Sequence, residues 1–174
     1  YEPMKKLARL NNTLQMGLGA AERVFDMIDR EVMIKDSETA RDVVLKKPQI
    51  ILKNVHFRYD EEDHRALVDV SITIPGGKVT ALVGRSGSGK TTIMNLIPRF
   101  FDVKEGKVMI DDINIQEISK TSLRSNMALV SQDITIFDDT VWANIGYGKQ
   151  GAYQDEIIKA AIAAEADEFI RKLP

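Results

Sequence analysis

The stretch that decides the fold is "TALVGRSGSGKTT", residues 80–92, in which an apolar run leads into a glycine-rich loop. We expect residues 79–83 to form a strand buried on both faces, and residues 90–97 to form a helix that ends before Pro98. In such a unit, glycines allow consecutive backbone N–H groups to point at one anion, and the helix adds the positive end of its dipole. The stretch therefore predicts a loop that binds phosphate groups.

The loop also carries the side chains that a nucleoside triphosphate requires. Its residues match the spacing glycine, any four residues, glycine, lysine and then serine or threonine. The Lys90 ammonium would bring a full positive charge to the β and γ phosphates, and the Thr91 hydroxyl would bind Mg²⁺. A glycine-rich turn without a ligand is the alternative, which the complete spacing disfavours. The candidate binding residues are Gly84, Ser86, Gly87, Ser88, Gly89, Lys90, Thr91 and Thr92.

Composition narrows the class of protein without deciding the function. The chain has 174 residues and is 44% hydrophobic, which is enough for one sizeable core. Its 24 basic and 26 acidic residues leave a net charge of -2, so nothing indicates a nucleic-acid partner. It has no cysteine, which excludes disulfides and thiolate metal sites, and no run approaches the roughly 20 apolar residues that cross a bilayer.

Changes of pattern divide the chain into three parts. Residues 1–28 carry one apolar stripe at three- and four-residue steps, which predicts a helix packed on this domain or on a partner. Residues 29–48 are polar and without a clear period, which indicates a linker. Residues 49–174 form the nucleotide-binding part. Within it we expect strands at residues 55–59, 68–74, 107–111 and 126–130, and helices at residues 119–126 and 153–173.

Four blocks around the loop carry a resemblance to a known family. They are "NVHFRYD" before the loop, and "GKVMIDDINI", "LRSNMALVSQD" and "TIFDDTVWANIGYG" after it. From about residue 49 to residue 174 the chain resembles the nucleotide-binding domain of an ATP-binding-cassette (ABC) transporter, of the exporter type in which membrane and ATPase parts share one polypeptide. Within that type it is similar to the bacterial lipid A flippase and multidrug exporter group.

The resemblance implies an α/β fold, the P-loop NTPase fold of ABC ATPases. It consists of a RecA-like core, an antiparallel β-subdomain and the start of a helical subdomain, preceded here by an N-terminal helix. Residues 1–28 resemble the cytoplasmic extension of the last transmembrane helix of such exporters. The chain would then lie on the cytoplasmic face of the bacterial inner membrane, as part of an integral membrane protein. Its partners would be a second copy of the domain, in a homodimer, and the coupling helices of the transmembrane domain.

Two residues outside the loop gain a role from the resemblance. Tyr59 in "FRYD" matches the aromatic residue that stacks on the adenine ring, whereas a lone tyrosine here would more often be a partly buried strand residue. Gln132 in "LVSQD" matches the glutamine that reaches Mg²⁺ and the attacking water, a task suited to a neutral carboxamide. A surface glutamine that begins a loop is the alternative. The resemblance thus implies ATP and Mg²⁺ as cofactors, with Gln132 and Lys90 as catalytic residues.

The segment after Gln132 has two possible roles. In the family it contacts the coupling helices of the membrane domain, so residues 133–145 would form a docking surface with Ile136, Phe137 and Trp142. The same side chains could instead pack the start of the helical subdomain. For Trp142 the sequence leaves both interpretations open.

The run "KVMIDD", residues 107–112, is similar to the apolar strand ending in aspartate that holds Mg²⁺ in phosphate-loop enzymes. Its apolar part is only Val108 to Ile110, and the family's copy of this block is a peripheral antiparallel strand. We therefore expect Asp111 and Asp112 to be turn residues and not metal ligands.

Several family motifs have no counterpart in this sequence. There is no Leu-Ser-Gly-Gly-Gln signature, no apolar run ending in Asp-Glu, and no histidine after His64. In the family these pieces supply the second phosphate clamp, the Mg²⁺-binding aspartate, the general base and the switch histidine. We therefore expect the 174 residues to bind ATP as a domain cut before its signature, without hydrolysing ATP alone.

The favoured interpretation is the ATP-binding part of an exporter that couples ATP hydrolysis to the export of a lipid or another hydrophobic substrate. An alternative of a different class is a non-catalytic ATP-binding or regulatory module with a truncated cassette fold. A soluble phosphate-loop kinase is disfavoured, because Tyr59 and Gln132 would then match the exporter pattern by coincidence.

Overall fold

The chain divides into two units, one up to Ala128 and one from Leu129 onward. The computed structural model describes residues 2–60 and 65–173, apart from the side chains of Leu7, Ala8 and Asn12. His64 therefore lies outside the described residues.

The first unit begins with helix α1, Glu2–Ile28, which confirms the helix predicted from the apolar stripe. The stripe remains accessible, since the side chains of Leu10, Leu14 and Leu18 are each more than half exposed. Throughout residues 2–60 and 65–173, no helix combines the length and the apolar composition that a membrane crossing requires.

A four-stranded sheet in the order β2-β1-β3-β4 forms the frame of the first unit. Strand β1 pairs antiparallel with both β2 and β3, and β3 pairs antiparallel with β4. Alternation predicted strands at residues 55–59 and 68–74, and a further strand was predicted at residues 107–111; the structure confirms all three, with β1 beginning and ending earlier than predicted. Their bounds are Ile50–Phe57 for β1, Leu67–Ile74 for β2, Glu105–Ile110 for β3 and Ile113–Asn114 for β4.

The hydrophobic core of the first unit joins the sheet to three short helices. These are α2 (Lys90–Leu96), a 3₁₀ helix (Ile115–Glu117) and α3 (Lys120–Ser125). Burial of one large aliphatic side chain contributes roughly 1.5 to 3 kcal/mol, so the cluster fixes α2 relative to β1. Its buried members are Leu52, Val55, Phe57, Leu67, Ile93, Leu96, Val108, Ile110, Ile115, Ile118 and Leu123.

Asp111 and Asp112 occupy the turn between β3 and β4, as predicted. Asp111 has a positive φ of 52°, and its Oδ1 accepts a hydrogen bond from the Gln49 N–H at 2.8 Å. The carboxylate thus ties the turn to the residue before β1, which is a structural task.

Two predicted strands are absent from the described structure, so these predictions are wrong. Residues 79–83 and 126–130 form no ladder, and Val79, Val83 and Val130 are almost fully exposed. An apolar run becomes a strand only when neighbouring segments accept and donate its backbone hydrogen bonds. Within the described ranges no segment pairs with either run, although Leu82 packs against the core.

Hydrogen bonds hold part of the predicted linker against the rest of the first unit, so this part is not a free tether. Lys120 Nζ donates to the Ile34 carbonyl at 2.7 Å, and the Lys120 N–H donates to Asp36 Oδ1 at 3.1 Å. We name residues 34–43 the linker strap. Further hydrogen bonds join Lys35 to Arg99, Arg41 to Glu117 and Ser119, Asp42 to Ser119, and Val43 to Ser122.

In the described part of the second unit, residues 129–173, three helices follow one another: α4 (Val141–Gly146), α5 (Gln154–Ala163) and α6 (Asp167–Ile170). A single helix over residues 153–173 is therefore a wrong prediction. Glu165 has a φ of 55°, in the left-handed region, and this conformation separates α5 from α6. Alanine and glutamate favour helix locally, so propensity alone could not reveal the break.

Candidate functional site

The candidate site begins where the glycine loop meets the sheet. Gly89 precedes α2 with a φ of 83°, a conformation that residues with a Cβ atom rarely adopt. A Cβ atom there would lie 2.5 Å from Leu67 Cδ2 and 2.8 Å from the Ala66 carbonyl oxygen. The loop can therefore approach β2 this closely only with glycine at this position.

Lys90 turns its ammonium group back over the loop. Its Nζ donates to the Gly84 carbonyl at 2.8 Å, to the Arg85 carbonyl at 2.7 Å and to Ser88 Oγ at 3.2 Å. Three oxygens thus use the three N–H donors of the lysine. The positive charge therefore lies at the loop predicted to bind phosphate, beside the exposed residues Ser86 and Gly87.

Thr91 and Thr92 have different environments at the start of α2. Thr91 is exposed, whereas Thr92 is 6% exposed. The Thr92 hydroxyl lies 3.1 Å from the Tyr59 hydroxyl, so the two share a hydrogen bond. The predicted adenine residue and the predicted phosphate helix are therefore in direct contact.

Tyr59 belongs to an aromatic cluster that the sequence analysis did not identify. The rings of Phe57 and Phe101 each meet the Tyr59 ring at a centroid distance of 5.0 Å and close to a right angle. Edge-to-face contacts of this kind hold a ring in a defined orientation. Since Tyr59 is still 42% exposed, part of its ring remains available to a ligand.

A cavity of about 710 Å³ lies beside this aromatic cluster. Phe57, Tyr59 and Phe101 contribute aromatic walls, and Met33 and Ile34 contribute apolar linker residues. The other side of the lining is polar, with His56, Arg58, Asp60, Arg65, Asp102, Lys104 and Glu105. A volume of this size is within the range of small-molecule sites, and the aromatic walls suit a flat aromatic ligand.

The turn after α2 is held by two arginines that sequence reasoning also missed. Arg99 is 3% exposed and donates to Asp102 through Nε at 2.7 Å and Nη2 at 3.1 Å. The hydrogen bonds that Arg99 donates to the Asp102 carboxylate raise the pKa of the guanidinium. Arg124 donates to the Pro98 and Arg99 carbonyls at 3.0 and 2.8 Å. The sequence signal that could have indicated this turn is the pair of opposite charges, Arg99 and Asp102, on either side of the two phenylalanines in "RFFD".

Gln132, the other predicted catalytic residue, lies in the second unit. It is exposed within a bend, next to Ser131, whose hydroxyl donates to the Asp133 carbonyl at 2.7 Å. The structure thus brings Tyr59, Thr92 and the loop together in the first unit, and Gln132 belongs to a separate one.

Asn144 organises the exposed aromatic turn that follows Gln132. Its Oδ1 accepts from the Phe137 N–H at 2.8 Å, and its Nδ2 donates to the Phe137 and Thr140 carbonyls at 3.1 and 2.9 Å. The rings of Phe137 and Tyr147 are 4.8 Å apart. Trp142 remains 42% exposed, so this surface keeps apolar side chains in water.

The spacing of the loop, with Gly89 against Leu67 of β2 and Lys90 over the loop carbonyls, is the pattern typical of phosphate-binding loops. The sequence profile described as ABC transporter matches residues 67–174. The chain belongs to the ABC transporter family, and membership implies that this region binds ATP.

Individual relatives agree with this assignment. The chain is 45% identical over 174 residues to the ATP-dependent lipid A-core flippase of Syntrophus aciditrophicus, covering 100% of this chain and 29% of that protein. It is 43% identical over 173 residues to the protein of the same name from Haemophilus influenzae strain Rd, covering 99% of this chain and 29% of that protein.

A solved structure supports the fold. The structure of a bacterial Atm1-family ABC exporter with ATP bound matches with a TM-score of 0.82 and 36% identity, covering 99% of this chain and 30% of the exporter. This match confirms the predicted ABC ATPase fold with an N-terminal helix. The chain thus spans somewhat less than a third of the proteins it matches.

Proposed function

We propose that this chain is part of the nucleotide-binding domain of an ABC exporter and that it binds ATP together with Mg²⁺. The observation that carries the proposal is the loop geometry, in which Gly89 seats the loop against β2 and Lys90 directs its ammonium over the loop oxygens. Membership in the ABC transporter family supports the same nucleotide.

The phosphates would be held by Lys90 and by the backbone N–H groups of residues 86–92. The Lys90 ammonium is satisfied by neutral oxygens, including the Gly84 and Arg85 carbonyls. Phosphate oxygens are charged acceptors and make stronger hydrogen bonds than carbonyls do, so triphosphate binding would exchange these contacts favourably. Gly84 supports the same loop, because a Cβ atom there would lie 2.6 Å from Ser88 Oγ.

The base and the metal would use the remaining candidate residues. Tyr59, framed by Phe57 and Phe101, would stack on adenine at the mouth of the aromatic cavity. The exposed Thr91 hydroxyl and the Gln132 carboxamide are oxygen donors of the kind that Mg²⁺ accepts. When bound, Mg²⁺ would neutralise charge on the β and γ phosphates.

The full-length protein would couple ATP hydrolysis to the export of a lipid or another hydrophobic substrate, on the cytoplasmic face of the bacterial inner membrane. The support is sequence identity of 41–46% to proteins named ATP-dependent lipid A-core flippase. Helix α1 would continue the last transmembrane helix, and residues 29–48 would link it to the domain of residues 49–174. Lys90 and Gln132 would act in catalysis.

Two macromolecular partners complete the proposal. The exposed residues Ile136, Phe137 and Trp142 would dock the coupling helices of the membrane domain, since apolar side chains in water favour burial against a partner. A second copy of the domain would form a homodimer that completes the phosphate site.

The first experiment is the Lys90→Ala variant. Removing the Lys90 ammonium leaves the anionic triphosphate without the positive charge that would face it. We therefore expect ATP affinity to fall by at least 100-fold, about 2.7 kcal/mol. Calorimetric titration of the 174-residue chain with MgATP measures the change.

Lys78→Ala is the matched control, because Lys78 is an exposed lysine in the turn before the loop. It should leave ATP affinity within twofold of the original chain. Unchanged affinity in Lys90→Ala would refute the assignment of the site.

A further inference from the structure

Arg99 connects the linker strap to the turn that follows α2. Its Nη2 donates to the Lys35 carbonyl at 3.1 Å. Its Nη1 is buried, makes no hydrogen bond to any described residue, and lies 3.5 Å from Asp36 Oδ1. Because the Arg99 side chain is only 4% exposed, water screens the Asp36 charge weakly from the guanidinium side. Asp36 therefore supplies the negative charge that faces this buried nitrogen.

The same guanidinium, together with Arg124, holds the turn that carries Phe101. Arg99 and Asp102 are joined by two hydrogen bonds, and Phe101 stands between them in the sequence. The backbone that carries the Phe101 ring is thus fixed at both of its ends. The ring meets Tyr59 with a centroid distance of 5.0 Å and an interplanar angle of 86°.

These contacts form a continuous path from the linker strap to the candidate adenine residue. The path runs from Asp36 to Arg99, through the turn to Phe101, and then to Tyr59. All of these residues lie in the first unit. The cavity beside Tyr59 is lined by Met33 and Ile34 as well, so the linker reaches the site directly too.

We propose that Asp36 is a positioning residue for the adenine site, because through Arg99 it fixes Phe101 and so the orientation of the Tyr59 ring. The inference rests on the proposed function, since it takes Tyr59 as the residue that stacks on adenine. It gives the linker a part in nucleotide recognition: a displaced strap weakens the hold on the base and leaves the phosphate loop unchanged.

Asp36→Asn tests the inference with a minimal change. Asparagine keeps an oxygen that accepts from the Lys120 N–H and removes the charge that faces Arg99. We expect the affinity for MgATP to fall about three- to tenfold, a part of what one base stacked on an aromatic ring contributes. The affinity for magnesium tripolyphosphate, which has no base, should stay within twofold. Titration of the full 174-residue chain with both ligands measures the two affinities.

Two further variants sharpen the test. Phe101→Leu removes the ring in the middle of the path, and it should reproduce the loss that is selective for ATP. Glu38→Gln removes a charge from an exposed position of the same strap, and it should change neither affinity.

Each outcome of the titrations decides between clear alternatives. Equal weakening of both ligands by Asp36→Asn would mean a general structural role and would overturn the inference, as would no weakening of either. Failure of the unsubstituted chain to bind either ligand would instead contradict the proposed function.

Discussion

At the scale of single residues, the ring and the hydroxyl of Tyr59 have different roles, because the hydroxyl is hydrogen-bonded to that of Thr92. The ring is what a base would stack on, whereas the hydroxyl satisfies Thr92, which is 6% exposed. A net hydrogen bond contributes about 1 kcal/mol, and an unsatisfied buried hydroxyl costs somewhat more. Stacking on the ring contributes about 1 to 3 kcal/mol per base.

Tyr59→Phe and Tyr59→Ala should therefore have different effects. Tyr59→Phe keeps the ring, so we expect ATP affinity within about twofold. It leaves the buried Thr92 hydroxyl without this partner, so the free energy of unfolding should fall by about 1 to 3 kcal/mol. Tyr59→Ala removes the ring, so ATP affinity should fall by about fivefold to 150-fold. Titration with MgATP and chemical denaturation measure the two quantities.

Tyr153→Phe is the control for the stability measurement, because Tyr153 is 79% exposed and loses only a hydroxyl in water. It should leave the free energy of unfolding unchanged. If Tyr59→Phe lost as much ATP affinity as Tyr59→Ala, the hydroxyl and not the ring would recognise the nucleotide.

At the scale of elements, the start of α5 depends on one carboxylate. Glu156 Oε1 accepts a hydrogen bond from Lys149 Nζ, and its Oε2 accepts from the Tyr153 N–H at 3.0 Å. The Lys149 contact, followed by the Tyr153 contact, lowers the pKa of Glu156 below its ordinary value of 4.5. A lowered pKa in the folded state means that the carboxylate stabilises above the ordinary value and loses this effect as the pH falls through the folded-state pKa.

Glu156→Gln should accordingly lower the melting temperature at pH 7 and have no effect at strongly acidic pH. The difference in Tm between the two chains should shrink only at pH values below 4.5. Thermal denaturation followed by circular dichroism across this range measures it. Asp155→Asn is the control at pH 7, because it removes a charge from the same helical turn and leaves the contacts of Glu156 with Lys149 and Tyr153 in place; it should lower the Tm less than Glu156→Gln does. A Glu156→Gln difference that persisted at the lowest pH would contradict the assignment.

At the scale of the whole molecule, local sequence patterns predicted what depends on near neighbours. The spacing from Gly84 to Thr91 predicted the loop, and alternation predicted β1 and β2. The contact between Asp36 and Arg99 could not be predicted, because it joins distant residues in a segment without periodicity. Residues 79–83 were predicted wrongly as a strand, since a strand also requires partners that the pattern does not describe.

That unpaired segment leads to a prediction about the behaviour of the chain in solution. Val79 is 102% exposed and Val83 is 93% exposed, and residues 79–83 make no backbone hydrogen bond to the rest of residues 2–60 and 65–173. An accessible apolar edge with free backbone groups pairs readily with another chain. A net charge of only -2 opposes association weakly. We expect the 174-residue chain to self-associate as its concentration rises, measured by sedimentation velocity.

Val83→Lys should reduce this association, because a lysine on an exposed edge disfavours strand pairing. Val44→Lys is the matched control, since Val44 is an 87% exposed valine of the segment between the linker strap and β1. Both variants add one positive charge to a net charge of -2, which brings the chain closer to neutrality and by itself favours association. A decrease in Val83→Lys alone therefore identifies residues 79–83 as the contacting edge, whereas equal behaviour of the two variants would assign the association to another surface.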